Sequence, residues 1–137
     1  MFNLYIDRPE HYRIIQNECE CVFNKQTSRL MAYESKKGLL IFVLDRYVPM
    51  VSVEVSIYGQ GQWATKAIFK HFAEFVFVEM GCKRMTCITR ESNKKSIALN
   101  KRLGMIKEGV LKRATFDNES LILWAYFPEN CKYLKAK

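Results

Sequence analysis

Between residues 51 and 67 the sequence changes its apolar spacing from every second residue to a helical one through a pair of glycines, and this change limits the fold most. Val51, Val53, Val55 and Ile57 alternate with Ser52, Glu54, Ser56 and Tyr58, the pattern of a strand with one core face and one face free to meet a ligand. Gly59-Gln60-Gly61 comes next. Residues 63–80 then read as a helix, with Ala64, Ala67, Ile68, Phe72 and Phe75 on an apolar stripe, Lys66, Lys70 and Glu74 on a polar one, and Gly81 as its C-terminal cap. Glycines let the main chain approach a diphosphate closely, and the unpaired N–H groups of a helix's first turn carry partial positive charge toward it. The unit therefore predicts an anion site at residues 59–65, although two glycines ahead of a helix more often only reverse the chain.

The rest of the chain reads as one domain spanning residues 1–137, with no internal repeat, low-complexity run or flexible linker. A strand at 2–6 precedes a helix opened by Pro9, which carries Tyr12, Ile15, Cys19 and Val22 at helical spacing and ends before Thr27. Strands at 30–33, 39–44 and 51–58 form an antiparallel meander, and a further strand covers 85–89. Asn93 caps a helix that runs through Ile97 and Leu103 and stops at Gly104. Two last strands, 105–116 and 121–127, flank a turn at Asp117-Asn118.

With 49% hydrophobic residues the chain can bury a sizeable core. No stretch reaches the roughly 18 uninterrupted apolar residues of a membrane span, and the first residues lack the basic-then-apolar order of a secretory signal, so a soluble, cytoplasmic protein is expected. Its five cysteines are odd in number and lack paired zinc-site spacing, which predicts free thiols and no bound metal. Residues 83–113 contain ten Lys/Arg against Glu91 and Glu108 and so carry the whole net charge of +8. A local excess of this kind attracts anionic ligands, and coenzyme phosphates and nucleic acid both fit it.

Two motifs sharpen this reading. Gly59-Gln60-Gly61 followed by Trp63-Ala64-Thr65-Lys66-Ala67 resembles the acetyl-CoA signature of the GNAT superfamily, Arg/Gln-x-x-Gly-x-Gly/Ala. Gln62 is either one inserted residue or the replacement of a glycine. The second motif is longer: Asn93-Lys94-Lys95-Ser96, then Lys101-Arg102-Leu103-Gly104-Met105 and Glu108-Gly109, similar to the family's Asn-x-x-Ser helix closing in Lys-Leu-Gly-Phe before Glu-Gly. The resemblance covers residues 51–127 and is nearest the RimJ/RimL-type branch.

It implies an α+β fold: a GNAT-like mixed sheet of six to seven strands flanked by helices, with an acetyl-CoA cleft between two splayed parallel strands, 51–58 and 85–89. By the same resemblance, main-chain groups at Val53, Val55, Ser56 and Ile57 hold the pantetheine arm, and Gly59, Gln60, Gly61, Gln62, Trp63, Ala64 and Thr65 hold the diphosphate. Asn93 and Ser96 face the coenzyme arm, and Lys101, with Lys66, Lys94, Lys95 and Arg102, contacts phosphates. For Asn93 a plain capping role is equally expected and is compatible with the other.

The implied reaction is direct attack of a neutral amine on the thioester of acetyl-CoA, with Glu54 as base. Tyr126, or Tyr58, is the candidate acid, because Asn100 stands where many family members have their tyrosine. The acceptor is a primary amine, either a protein N-terminus or another amine, an amine carried by RNA or a ribosome among them, and the chain is a monomer or homodimer. Two alternatives are a catalytically degenerate family member and a basic nucleic-acid- or ribosome-binding module.

Overall fold

The computed structural model describes residues 2–19, 21–61 and 65–134. In chain order the elements are β1 (Asn3–Ile6), α1 (Pro9–Cys19), β2 (Arg29–Glu34), β3 (Gly38–Val48) and β4 (Ser52–Gly61). There follow α2 (Thr65–Glu74), β5 (Arg84–Arg90), α3 (Lys94–Leu103), β6 (Ile106–Leu111) and β7 (Leu121–Tyr126). The strands form one seven-stranded sheet in the order β1-β2-β3-β4-β5-β7-β6. The first four strands pair antiparallel as a meander, β4 and β5 run parallel, and β7 pairs antiparallel with both β5 and β6. This is the α+β, mixed-sheet architecture implied by the sequence.

Alternation along the strands divides the core into two layers. Val53 and Val55 of β4, Met85 and Cys87 of β5 and Trp124 and Tyr126 of β7 face a cluster that includes Ile68, Phe72 and Val76 and, from α3, Leu103. The opposite face buries Leu30, Ala32, Ile41 and Val43 under Tyr12 and Ile15 of α1. One helix thus covers one face of the sheet and two helices cover the other, as amphipathic elements require.

Several element ends differ from expectation, each for a local reason. Helix α1 stops at Cys19 because the Gln16 carbonyl and side chain accept the N–H groups of Cys21 and Phe23 at 3.2 and 2.9 Å; Cys19 and Val22, expected on its apolar stripe, are exposed. Ala67, expected on the stripe of α2, is exposed as well, whereas Ile68 and Phe72 are buried. The α2 hydrogen-bond ladder widens to a π-helix over Phe75–Glu79 before Gly81, whose φ of 70° fits the predicted cap. Strand β6 ends at Leu111, not residue 116. The reason is a pinned loop, in which the Thr115 hydroxyl donates to Asp117 at 2.6 Å and Arg90 grips Asp117 and Glu119 at 3.0 Å.

Candidate active site

The feature that defines a site is the way β4 and β5 part. They pair at only three positions, Ser52↔Arg84, Val53↔Met85 and Glu54↔Thr86. Beyond them β4 continues to Gly61, held along its other edge by β3 from Asp45 back to Gly38. Strand β5 continues to Arg90, held along its other edge by β7. Each arm of the opening is thus fixed by its outer neighbour, so the gap belongs to the framework of the sheet and needs no ligand to hold it apart.

Peptide groups point into this gap. The Val51 carbonyl accepts the N–H groups of Lys83 and Arg84 at 2.8 and 3.2 Å, so it faces β5. The period of two along a strand then directs the peptide groups of Val53, Val55, Ile57 and Gly59 to the same edge. Val53 is itself paired with β5, and the Glu54↔Thr86 pair uses the Val55 N–H, so from the Val55 carbonyl onward the gap offers these groups no β5 partner, and an extended ligand can pair with them as an added strand would. The Val55 and Ile57 expectations rest on this edge; Ser56, by the same alternation, turns its peptide group toward β3.

Glu54 occupies the last paired position, at the throat of the gap, with Thr86 beside it on β5 and Asp45 opposite on β3. Its side chain is 32% exposed and its Oε2 lies 3.6 Å from Arg46 Nε. Arg46 reaches it through a β-bulge: between Asp45 and Val48 the register of β3 slips, and Arg46 takes a φ of 49°. Bulges re-aim side chains in this way. Neither Arg46 nor Thr86 was singled out from the sequence, because a bulge depends on the pairing of two strands and leaves no spacing signal in one.

The glycine motif sits differently from its sequence reading. Gly59, Gln60 and Gly61 are the last residues of β4, opposite Leu40, Leu39 and Gly38 of β3, so they extend a strand where a turn was expected. Gly61 is required for packing: its φ is 74°, and a Cβ there would stand 2.5 Å from the Lys37 carbonyl oxygen. Any helix-entry loop therefore falls after Gly61. Gln62, Trp63 and Ala64, and the Thr65 side chain, lie outside the described residues.

Because β4 and β5 are parallel, the carboxyl ends of both lie at the open end of the gap, where open α/β sheets bind their ligands. From there β4 leads on to α2, and β5 leads to α3 within a few residues. Asn93 caps α3, its Oδ1 accepting the Ser96 N–H at 3.1 Å. Lys94 and Lys95 are exposed in the first turn, although a helix N-terminus favours anions over cations. Lys101 belongs to the last turn of α3, roughly 10 Å farther along the axis at 1.5 Å per residue. There a cation complements the helix dipole, and the geometry separates Lys101 and Arg102 from the mouth.

The helix side of the gap is closely packed. Ile57, Phe72, Met85, Leu103, Tyr126 and Tyr133 border a slot with only ≈ 10 Å³ of room, so an acyl arm entering there must displace side chains. Tyr126 is buried, and its hydroxyl donates to the Leu103 carbonyl oxygen at 2.6 Å. Burial raises its pKa. The proton expected to serve as an acid is thus committed to closing α3. Tyr58 is half-buried on the α1 face and packs against that layer. Burial, with the Glu54 charge adding to it, pushes the Cys87 thiol up to about 12, which keeps it protonated and unreactive.

Tyr126→Phe separates the two readings of this hydroxyl. It leaves a buried carbonyl without its donor, and a stability loss of about 1–3 kcal/mol is expected, measured by urea unfolding, with turnover per folded molecule unchanged. A fall in turnover of about a hundredfold or more would restore Tyr126 as an acid.

No protein-family model matches the chain, and no curated relative matches it in sequence. Solved structures do match. A mutant form of the spermidine N-acetyltransferase SpeG from Vibrio cholerae superposes with a TM-score of 0.74 at 15% identity, over 97% of this chain and 98% of that one. Mutant forms described as spermidine/spermine N-acetyltransferase SpeG, from the same organism, give 0.70 at 16% identity over 98% of both chains. The same enzyme in complex with manganese ions gives 0.67 at 16% identity over 92% of both. At such identity the likeness is one of fold: this chain has the GNAT fold of those acetyltransferases, over nearly its whole length and nearly all of theirs.

Proposed function

We propose that the chain is an acetyl-CoA-dependent N-acetyltransferase acting on a primary amine. The observation that carries this reading is the parting of β4 and β5 after three pairs, with main-chain groups turned into the gap and α3 capped at its open end. The pantetheine arm pairs with the free Val55 carbonyl and with the peptide groups of Ile57 and Gly59. Asn93 and Ser96, with Lys94 and Lys95, stand at the mouth where coenzyme phosphates would lie. The diphosphate itself is assigned to the segment after Gly61.

The amine attacks the thioester carbonyl, the C–S bond breaks, and the sulfur leaves with a proton. A primary alkylamine with a pKa near that of lysine is neutral in only about one molecule in several thousand at pH 7, so a base is needed to take its proton. Glu54 is assigned that role, directly or through a water, with Arg46 orienting its carboxylate. The structural neighbours are spermidine N-acetyltransferases by name, and the resemblance to the RimJ/RimL-type branch implies a protein N-terminus. Both acceptors are primary amines.

Thermal unfolding with acetyl-CoA tests the coenzyme assignment: a ligand at about 100 times its Kd stabilises the folded state by about 2.7 kcal/mol. A parallel assay follows acetyl transfer to spermidine and to a peptide N-terminus. Unchanged thermal stability in millimolar acetyl-CoA, together with no transfer to either amine, would remove the proposal.

A further inference from the structure

A second opening lies on the α1 face, between the start of α1 and the turn joining β2 to β3. It has a volume of ≈ 560 Å³, within the usual range of small-molecule sites. Glu34, Leu39 and Gln60 form its floor; they share one face because Glu34 pairs with Leu39 and Leu39 with Gln60. Arg8, Glu10 and His11 of α1 supply one wall, and Lys36 and Lys37 of the turn supply another. Gln60 is six residues beyond Glu54 on the same strand, roughly 20 Å away at 3.3 Å per residue, so this cleft is separate from the throat between β4 and β5.

His11 is the residue that packing leaves unexplained. It lines the cleft, is only 5% exposed, and its Nδ1 is buried with no hydrogen-bond partner. The Tyr5 ring beside it, 5.9 Å between centroids, supplies an aromatic contact and no hydrogen bond. Native interiors rarely leave a polar atom in this condition; Nδ1 is itself closed to solvent, so a ligand in the cleft borders the ring without reaching that atom. Burial lowers the imidazole pKa, opposed by the charges of Glu10 and Glu34, so at neutral pH the ring is uncharged and adds no charge of its own to the cleft.

The charges around it are of both signs and unequally occupied. Arg8 is held 3.9 Å from Glu10 and lies over the Tyr5 ring at 4.2 Å. That leaves Glu34 at the His11 end, and Lys36 and Lys37 at the turn, without ion-pair partners among the described residues. A dianion would meet Glu34, and a diamine would meet two lysines. Only a ligand with one charge of each sign satisfies both ends.

We infer that this cleft binds a zwitterion of dipeptide size, its ammonium held by Glu34 beside the His11 ring and its carboxylate by Lys36 and Lys37. Isothermal titration with alanyl-alanine, its N-acetyl form and its C-terminal amide tests this on the full chain. The free dipeptide is expected to bind, and each capped form to bind at least about tenfold more weakly, the worth of one charge-assisted hydrogen bond. Glu34→Gln should erase the penalty for N-acetylation, and Lys36→Ala with Lys37→Ala the penalty for the amide. These three side chains are at the surface, so their variants keep the fold. Absence of binding in millimolar dipeptide, equal affinity for free and capped forms, or binding indifferent to these substitutions would each overturn the inference.

Discussion

Glu54→Gln is expected to slow acetyl transfer by about 10²–10⁴-fold, the usual contribution of a positioned general base, while acetyl-CoA still stabilises the protein to the same extent. Glutamine keeps the shape of the side chain and can still lie against Arg46, 3.6 Å away in the native protein, but it cannot accept the ammonium proton. The loss should shrink as the pH is raised toward the pKa of the acceptor amine, because the neutral amine then forms without help. Steady-state kinetics on spermidine over a pH series, beside coenzyme titrations, reads both effects. A variant with native turnover at neutral pH would take Glu54 out of the reaction and leave Arg46 and Glu54 as a surface ion pair, worth little to stability.

Phe42→Ala is expected to cost about 3–5 kcal/mol, the range for emptying a buried aromatic site. Phe42 is fully buried; its ring stacks on Phe72 with centroids 3.8 Å apart and meets Tyr33 and Phe69 edge-on at 5.6 and 5.8 Å. It thereby fixes α2 onto β3, the strand that holds the outer edge of β4. Against a typical total of about 5–15 kcal/mol, this loss removes about a fifth or more of the stability. Urea unfolding should show the midpoint fall with little change in slope, and acetyl-CoA should rescue the variant less well than its affinity for the native protein predicts. A loss below about 1.5 kcal/mol would mean that α2 is held mainly by other contacts.

Most elements were legible because their signals are local. Alternation from Val51 to Tyr58 marked β4, Asn93 and Gly104 marked the ends of α3, and the Asp117-Asn118 turn appears with a φ of 64° at Asn118. The misreadings share one cause, which is dependence on a partner distant in sequence. The glycines at 59 and 61 looked like a turn because nothing in their own neighbourhood shows that Gly38 and Leu40 pair with them. Val22 matched a helical stripe, yet Gln16 ends the helix before it. The hydrogen bond that the Tyr126 hydroxyl donates to the Leu103 carbonyl, which bears on its role as an acid, likewise joins residues distant in sequence.

The same division holds for the whole protein. Composition, periodicity and the two motifs determined the order of strands and helices, the α+β class and the GNAT resemblance, since each depends on which residues stand near one another along the chain. Tertiary structure alone decided where β4 leaves β5, which arginine a bulge turns toward Glu54, and that a buried His11 borders a cleft of mixed charge. Those outcomes follow from the packing and pairing of segments far apart in sequence, where moving a register by one residue exchanges the two faces of a strand.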